Sequence, residues 1–269
     1  MSWRISHVRS LRASIEPYLF PQAYCVGLVL CMAFWCSFAH AAPVLSSFSQ
    51  GITAYKATDY DTAAKLFRQS AAEHLSSGVF QNLGLTEWQR SRPGEAILAW
   101  EQSLWLDPFN SASRGNLRFA RKAAQVEAPD LSWDEVISTW LPPNWWAWIA
   151  GTSLWLAVGM VTVPPFLRWR KAAWHQGVAA FGAMMFLLSL PAHLGVYTRS
   201  SLGFVIDKQV PLRLTPTSEA QAITQLGSGD PVRVIRARGH YRLVRTSRAV
   251  GWLESSEFGL ICPPEESCN

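Results

Sequence analysis

Hydrophobic positions along this chain fall into four regimes. An apolar run from Tyr24 to Phe38 follows a start carrying Arg4, Arg9 and Arg12 and ends on Ala39-His40-Ala41. A positive start, an apolar core and a small-x-small end describe a signal segment over 1–41, either cleaved or kept as an anchor, that sends the rest out of the cytoplasm. From 46 to 126 apolar residues recur at helical spacing in short stretches divided by polar turns. Trp145 to Leu167 then gives 23 residues without a charge, and Ala172 to Thr198 gives 27. About 20 residues cross a hydrocarbon core of roughly 30 Å, so spans are expected at 145–167 and 174–197, after a linker at 127–144. Beyond Thr198 the pattern shortens to alternating runs, "FVIDK", "VPLRLTP", "DPVRVIRARGHYRLVRT" and "AVGWLESS", separated by Gly and Pro. These predict strands over 203–261, with a tail at 262–269.

The flanks of the two apolar runs give an orientation. Trp145, Trp146 and Trp148 lie at one interface and Trp169 and Trp174 at the other, as in an aromatic belt. Arg168, Arg170 and Lys171 fall in the short loop 168–173, whereas Asp134 and Glu135 flank the outer end. Positive residues in short loops stay cytoplasmic, so both large segments are expected on the periplasmic side of a bacterial inner membrane.

The segment 46–126 repeats itself. "GITAYKATDYDTAAKLF" falls on "GLTEWQRSRPGEAILAW", matching Gly51 with Gly84, Tyr55 with Trp88, Ala63 with Ala96 and Phe67 with Trp100. A third copy begins at Asn116-Leu117, matching Asn82-Leu83, and stops after one helix. Small and aromatic residues at these offsets, with a period near 34, resemble the tetratricopeptide repeat. Gly84 and Ala96 would let two helices approach while Trp88 and Trp100 fill the space at their ends. Asp107-Pro108 would stop one helix and start the next. In such arrays the first helix of each repeat lines a concave face, here roughly Ser49–Ala57, Gln81–Gln89 and Arg114–Lys122. That face offers Tyr55, Asn82, Trp88, Asn116 and Lys122 as a partner-binding groove. The amides of Asn82 and Asn116 either grip a bound backbone or cap their own helices.

The β segment resembles the bacterial SH3 (SH3b) module, with Gly251-Trp252-Leu253 in place of its near-terminal Gly-Trp-Val/Ile. Tyr241 and Trp252 are the residues of its candidate ligand face, Trp252 being also a candidate core residue. Six arginines from Arg233 to Arg248, without an acid among them, form either a solvated outer face or an anionic-ligand strip. The fold class expected is multidomain α plus β: tetratricopeptide-repeat hairpins, two transmembrane helices and a small SH3b-like β-barrel.

Composition adds little chemistry. A net charge of +5 spread over 269 residues does not point to nucleic acid. Cys262 and Cys268 are a pair in an exported segment, which suits a disulfide better than a metal site. Five residues between them do not make a C-x-x-C redox motif. His74 beside Glu73 reads as a solvated residue. No catalytic residue, metal ligand set or cofactor motif is read from the chain.

The order signal, repeats, "PPNWWAWI", two spans and SH3b, together with "AILAWEQSLWLDP" and "NLRFAR", resembles the BatE-like family of Bacteroides aerotolerance (Bat) operons. Trp100 stands where that family commonly has Tyr. The resemblance implies a non-enzymatic scaffold in a membrane complex with a MoxR-type ATPase, von Willebrand-A proteins and BatD-like subunits, linked to oxidative or envelope stress. The alternative is a peptidoglycan-binding envelope protein whose SH3b domain localises a cell-wall enzyme.

Overall fold

A computed structural model describes residues 45–166 and 174–262. The signal segment, the loop 168–173 and Cys268 lie outside them. The chain first forms five helices, α1 (Leu45–Lys56), α2 (Tyr60–Glu73), α3 (Ser77–Gln89), α4 (Pro93–Leu106) and α5 (Ser111–Ala124), packed as successive hairpins. Their starts have local causes. The Asp59 carboxylate accepts the Thr62 N–H at 3.1 Å, and Asn110 Oδ1 accepts the Ser113 N–H at 3.0 Å. Each satisfies a backbone donor that the first turn leaves open. Pro93 occupies the first turn of α4, where its missing N–H costs nothing. Pro108 does not open a helix. It lies in the turn between α4 and α5, and Asn110 performs the start instead.

The ends of the odd-numbered helices carry the repeat period in their backbone. Thr58, Ser91 and Gln125, spaced 33 and 34 residues apart, have φ of 62°, 59° and 54°. The residue after each closes a six-to-one hydrogen bond: Asp59 N–H to Ala54 O, Arg92 N–H to Glu87 O and Val126 N–H to Arg121 O. This left-handed closure normally selects glycine.

The aromatic residues of the repeat work differently from the sequence expectation. A Cβ on Gly84 would lie 2.5 Å from Trp100 Nε1, and one on Gly51 would lie 2.8 Å from Phe67 Cε1. Each glycine therefore seats the large ring of the partner helix directly on its backbone. The rings lie in the middle of the hairpin contact rather than at its ends, and Trp100 and Phe67 are both buried. A polar seam joins α3, α4 and α5. Ser103 Oγ lies 2.8 Å from Ser77 Oγ and 2.7 Å from Ser113 Oγ, and the Asn110 amide donates to Ser77 Oγ and Gln81 Oε1.

After α5 the chain makes a short helix, α6 (Trp133–Ser138), and then two long ones, α7 (Pro143–Phe166) and α8 (Trp174–Arg199). Both long helices are long and apolar enough to cross a membrane. They pack side by side where Gly182 meets the Ser153 carbonyl and Ala157. Trp155, Leu187, Leu188 and Leu194 point outward, an apolar surface of the kind lipid covers. α6 packs on the far end of α8 where Gly195 touches the Asp134 carbonyl, so close that no side chain fits. Trp146 Nε1 donates to Ser138 O at 3.4 Å, and His193 Nε2 lies 3.1 Å from Trp146 O. The start of α7 and the end of α8 therefore lie together, which puts both flanking segments on one side of the helix pair.

Two residues after α8 the sheet begins: β1 (Leu202–Val205), β2 (Val210–Arg213), β3 (Ala222–Leu226), β4 (Pro231–Arg238), β5 (Tyr241–Arg245), β6 (Val250–Glu254) and β7 (Phe258–Leu260). All pairs are antiparallel, in the order β3-β2-β6-β5-β4-β1-β7. The expected barrel is thus an open sheet, because β3 and β7 do not pair. The β7 edge is covered instead: Gln102 of α4 donates to Leu260 O at 3.0 Å, and Leu98 lies on Gly259. An edge sealed by a helix needs no barrel closure.

Helices and sheet share one core. Ile97, Trp100, Trp105, Leu117 and Ala120 pack with Leu202, Phe204, Ile261 and Cys262. Gly94 N–H donates to Ser228 Oγ at 2.9 Å, and that hydroxyl donates to Ile206 O. The expected linker is part of this body through α6.

Two substitutions test the repeat. Gly84→Leu should drive a side chain into Trp100 and cost about 3 kcal/mol, lowering the unfolding temperature and losing far-UV helix signal. Ser91→Gly should instead stabilise by about 1 kcal/mol by relieving the left-handed φ. Equal effects from the two would contradict the assigned backbone.

Candidate functional site

The five groove residues share the odd-numbered helices but are not equally available. Asn82 Nδ2 donates to Gly78 O of its own helix at 2.8 Å. Tyr55 lies edge-on to Tyr60, with ring centroids 5.4 Å apart. Trp88 contacts Trp100 and, at 5.6 Å, Phe119. Asn116 is half-buried and Lys122 exposed. Phe119, which the sequence reading passed over, is 62% exposed. The outermost member of this face is therefore an aromatic edge beside Trp88, with Lys122 one turn further along α5.

The opposite side of the array holds a cavity of about 590 Å³ between α2, α3, α4 and the loops of the sheet, lined by Leu75, Phe80, Leu83, Leu98 and Ile206 among others. At its rim Glu87, 1% exposed, pairs with Arg68 at 2.5 Å and with Arg90 at 2.8 Å. Arg68 also reaches Glu95, which pairs with Arg92. Burial pushes the Glu87 carboxyl above the ordinary glutamate value despite the Arg68 charge, and Glu95 adds to the rise. Nothing in the helical periodicity marks Glu87, because its position reads as a solvated one.

On the sheet, Leu243 pairs with Trp252 and Tyr241 with Glu254, so Tyr241 and Trp252 lie diagonally on one face of β5 and β6. Arg238 pairs with Tyr241 and Arg236 with Leu243, which places those two arginines on the same face. Both aromatic side chains are half-buried and both arginines exposed. The arginine strip is therefore partly a sheet face, but its first member leaves it. Arg233 forms a two-pronged pair with Glu135 at 2.5 and 3.0 Å and also donates to Thr198 O.

That pair is the centre of a charged junction between α4, α5, α6, α8 and β4. Glu135 is 2% exposed and caps its own helix by accepting the Ser132 N–H. Burial alone would raise its carboxyl, but the Arg233 hydrogen bond, the Ser132 N–H and the Arg233 charge hold it below the ordinary glutamate value. Nearby, Glu101 of α4 pairs with Arg121 of α5. Its carboxyl is pushed up by burial, against the charges of Arg121 and Arg199. Asp134 and Glu135, which read as an acidic flank of a span, thus include one buried structural carboxylate.

Cys262 is disulfide-bonded and buried, and the other four cysteines lie outside the described residues. Among the described residues no group of three or more His, Cys, Asp or Glu is placed to hold a metal ion. No family model, curated protein or solved structure matches the chain.

The junction makes a pH prediction. A carboxyl held below its unfolded value stabilises the fold above that value, near 4.3, and the contribution is lost as pH falls through the folded one. Glu101, shifted the other way, gains rather than loses stability on acidification. Glu135→Gln should therefore cost about 3 kcal/mol at pH 7 by stranding Arg233. The gap to wild type, read from thermal unfolding in detergent, should close below about pH 4. A gap that persists in acid would assign the loss to packing.

Proposed function

We propose that this chain is a membrane-anchored, non-enzymatic adaptor of an envelope complex, docking partner proteins through its helical array. On this reading α1–α5 are tetratricopeptide repeats, the sheet is an SH3b-like domain, and α7 and α8 cross the inner membrane with both flanking segments periplasmic. The observation that carries it is the exposed Phe119 edge on Trp88. The sheet covers α4, the second helix of its hairpin, and the Leu117–Ala120 side of α5, so the Phe119 side of α5 beside Trp88 of α3 is the side left for a partner. An exposed aromatic ring anchored on a half-buried tryptophan, flanked by Lys122 and Asn116, has the composition of an interface hot spot. A rigid ring contributes contact area at small entropic cost. The partners suggested by the sequence resemblance are von Willebrand-A and BatD-like subunits, and the physiological setting suggested with them is oxidative or envelope stress.

The second reading, peptidoglycan binding, is favoured by the diagonal Tyr241–Trp252 pair with Arg236 and Arg238 on the same face. Aromatic rings stack on sugars, and guanidinium groups pair with the carboxylates of stem peptides.

Phe119→Ser combined with Lys122→Glu should lower co-purification of the envelope partner about tenfold while leaving helix content and membrane insertion unchanged. Unchanged recovery rejects this face. Retention on purified sacculi that is lost in Tyr241→Ser would move the function to the sheet.

The membrane reading has its own test. Reporter fusions at Ala124 and Ser255 should be active only with a periplasmic reporter, since the outer ends of α7 and α8 lie together. Cytoplasmic activity at either site overturns the orientation.

A further inference from the structure

Arg199 ends α8 and is the most buried arginine of the junction, 7% exposed. Its guanidinium lies 4.7 Å over the Trp105 ring, and one nitrogen donates to Ser138 Oγ at 3.0 Å. Both contacts are with neutral groups. The two nearby acids are already engaged, Glu101 by Arg121 and Glu135 by Arg233. No carboxylate of the described residues forms an ion pair with Arg199. Glu101 and Glu135 balance its charge only from a distance, and a buried cation without a contact ion pair is a costly arrangement for a protein to hold.

That cation faces space. A cavity of about 290 Å³ is lined by Arg199, Arg121, Arg114, Trp105 and the Glu101 carboxylate. Arg121 spends one guanidinium nitrogen on Glu101 and leaves its Nε buried without a partner. Arg114 gives one nitrogen to Pro108 O and is otherwise exposed. Three guanidinium groups therefore border one pocket that contains a single carboxylate.

We propose that this cavity is a binding site for a phosphate group, held by Arg199 and Arg121 from within and by Arg114 at the rim. Guanidinium forks match tetrahedral oxyanions and keep their charge at any physiological pH. The Trp105 face fixes the Arg199 plane, so that its remaining N–H groups are pre-oriented. The phosphate comes either from solution or from the headgroup of an anionic lipid, since Arg199 is the last residue of an apolar helix. The lipid source rests on the membrane reading; the phosphate chemistry does not.

The test uses the purified full chain in neutral detergent and in nanodiscs. Inorganic phosphate should raise the unfolding temperature saturably relative to chloride at equal ionic strength. Native mass spectrometry of protein from mixed nanodiscs should report whether phosphatidylglycerol is retained over phosphatidylcholine. Arg199→Met should fold at least as well as wild type without phosphate, because it removes a buried charge that no ion pair holds, and should lose the saturable shift. Arg114→Gln, at the exposed rim, should weaken binding about tenfold and carries the test if the Arg199 variant does not fold. A phosphate shift without lipid retention identifies free phosphate, and selective lipid retention identifies a headgroup. Neither effect, or the same effect in wild type and both variants, overturns the site. Loss of membrane insertion with a preserved phosphate shift would count against the membrane reading alone.

Discussion

The burial of Ile97 and Trp100 on α4 is the contact on which the rest of the helix–sheet body depends. One side of α4 presses Trp100 onto the bare backbone of Gly84 and closes the second hairpin. The other turns Ile97 toward the sheet, where Gly229 leaves no room for a side chain against it. A helix buried on both sides has no solvated face to spare. This is why the apolar content of "PGEAILAWEQSLWL" exceeds what an outer helix of a repeat array requires. The sheet cannot leave without exposing Trp100, Trp105 and Phe204 together, at roughly 1.5–3 kcal/mol for each large side chain returned to water. The repeats and the β domain behave as one folding unit, although each has the sequence of a separate module.

Polar contacts decide the arrangement around that core rather than its existence. The Ser77–Ser103–Ser113 seam and the Asn110 amide hold three helices at spacings that leave no unpaired hydroxyl at their contact. The junction pairs Glu101–Arg121 and Glu135–Arg233 tie α4 to α5 and α6 to β4. Buried pairs of this type add little net stability but penalise alternatives, since any shift of α6 leaves a charge unpaired in a dry place.

What the sequence made legible follows from period and length. A 33-residue echo of small and aromatic residues located the hairpins, and uninterrupted apolar runs located α7 and α8. The strands followed from alternation between turn residues. The remainder depends on contacts that have no local signature. Glu135 bonds a residue 98 positions away, and nothing around "SWDEVIST" distinguishes a structural carboxylate from a solvated one. Thr58, Ser91 and Gln125 adopt a backbone that usually calls for glycine, so the turn was hidden by its side chains. Phe119 gave no signal in the sequence because Arg118, Arg121 and Lys122 surround it. The open edge of the sheet was not legible either, since closure depends on whether another element covers β7, and here α4 does.

The same coupling constrains how a docked partner would be presented. Only Ser200 and Ser201 separate α8 from β1, and the Val234 N–H bonds Ser201 O while Arg233 bonds Thr198 O, so the sheet continues the helix without a free hinge. α6 closes the other route by packing on Gly195, and α4 joins the sheet through the shared core. On the membrane reading of α7 and α8, the Phe119 face is therefore held at a fixed height and azimuth above the bilayer. A flexible tether would present the same face over a wide volume and lower the effective concentration of the second contact whenever a partner is itself membrane-bound. Rigid presentation restricts encounters to partners whose own docking segments lie at the matching height. On that reading the geometric filter suits the proposed adaptor of a fixed membrane assembly better than one that captures soluble proteins.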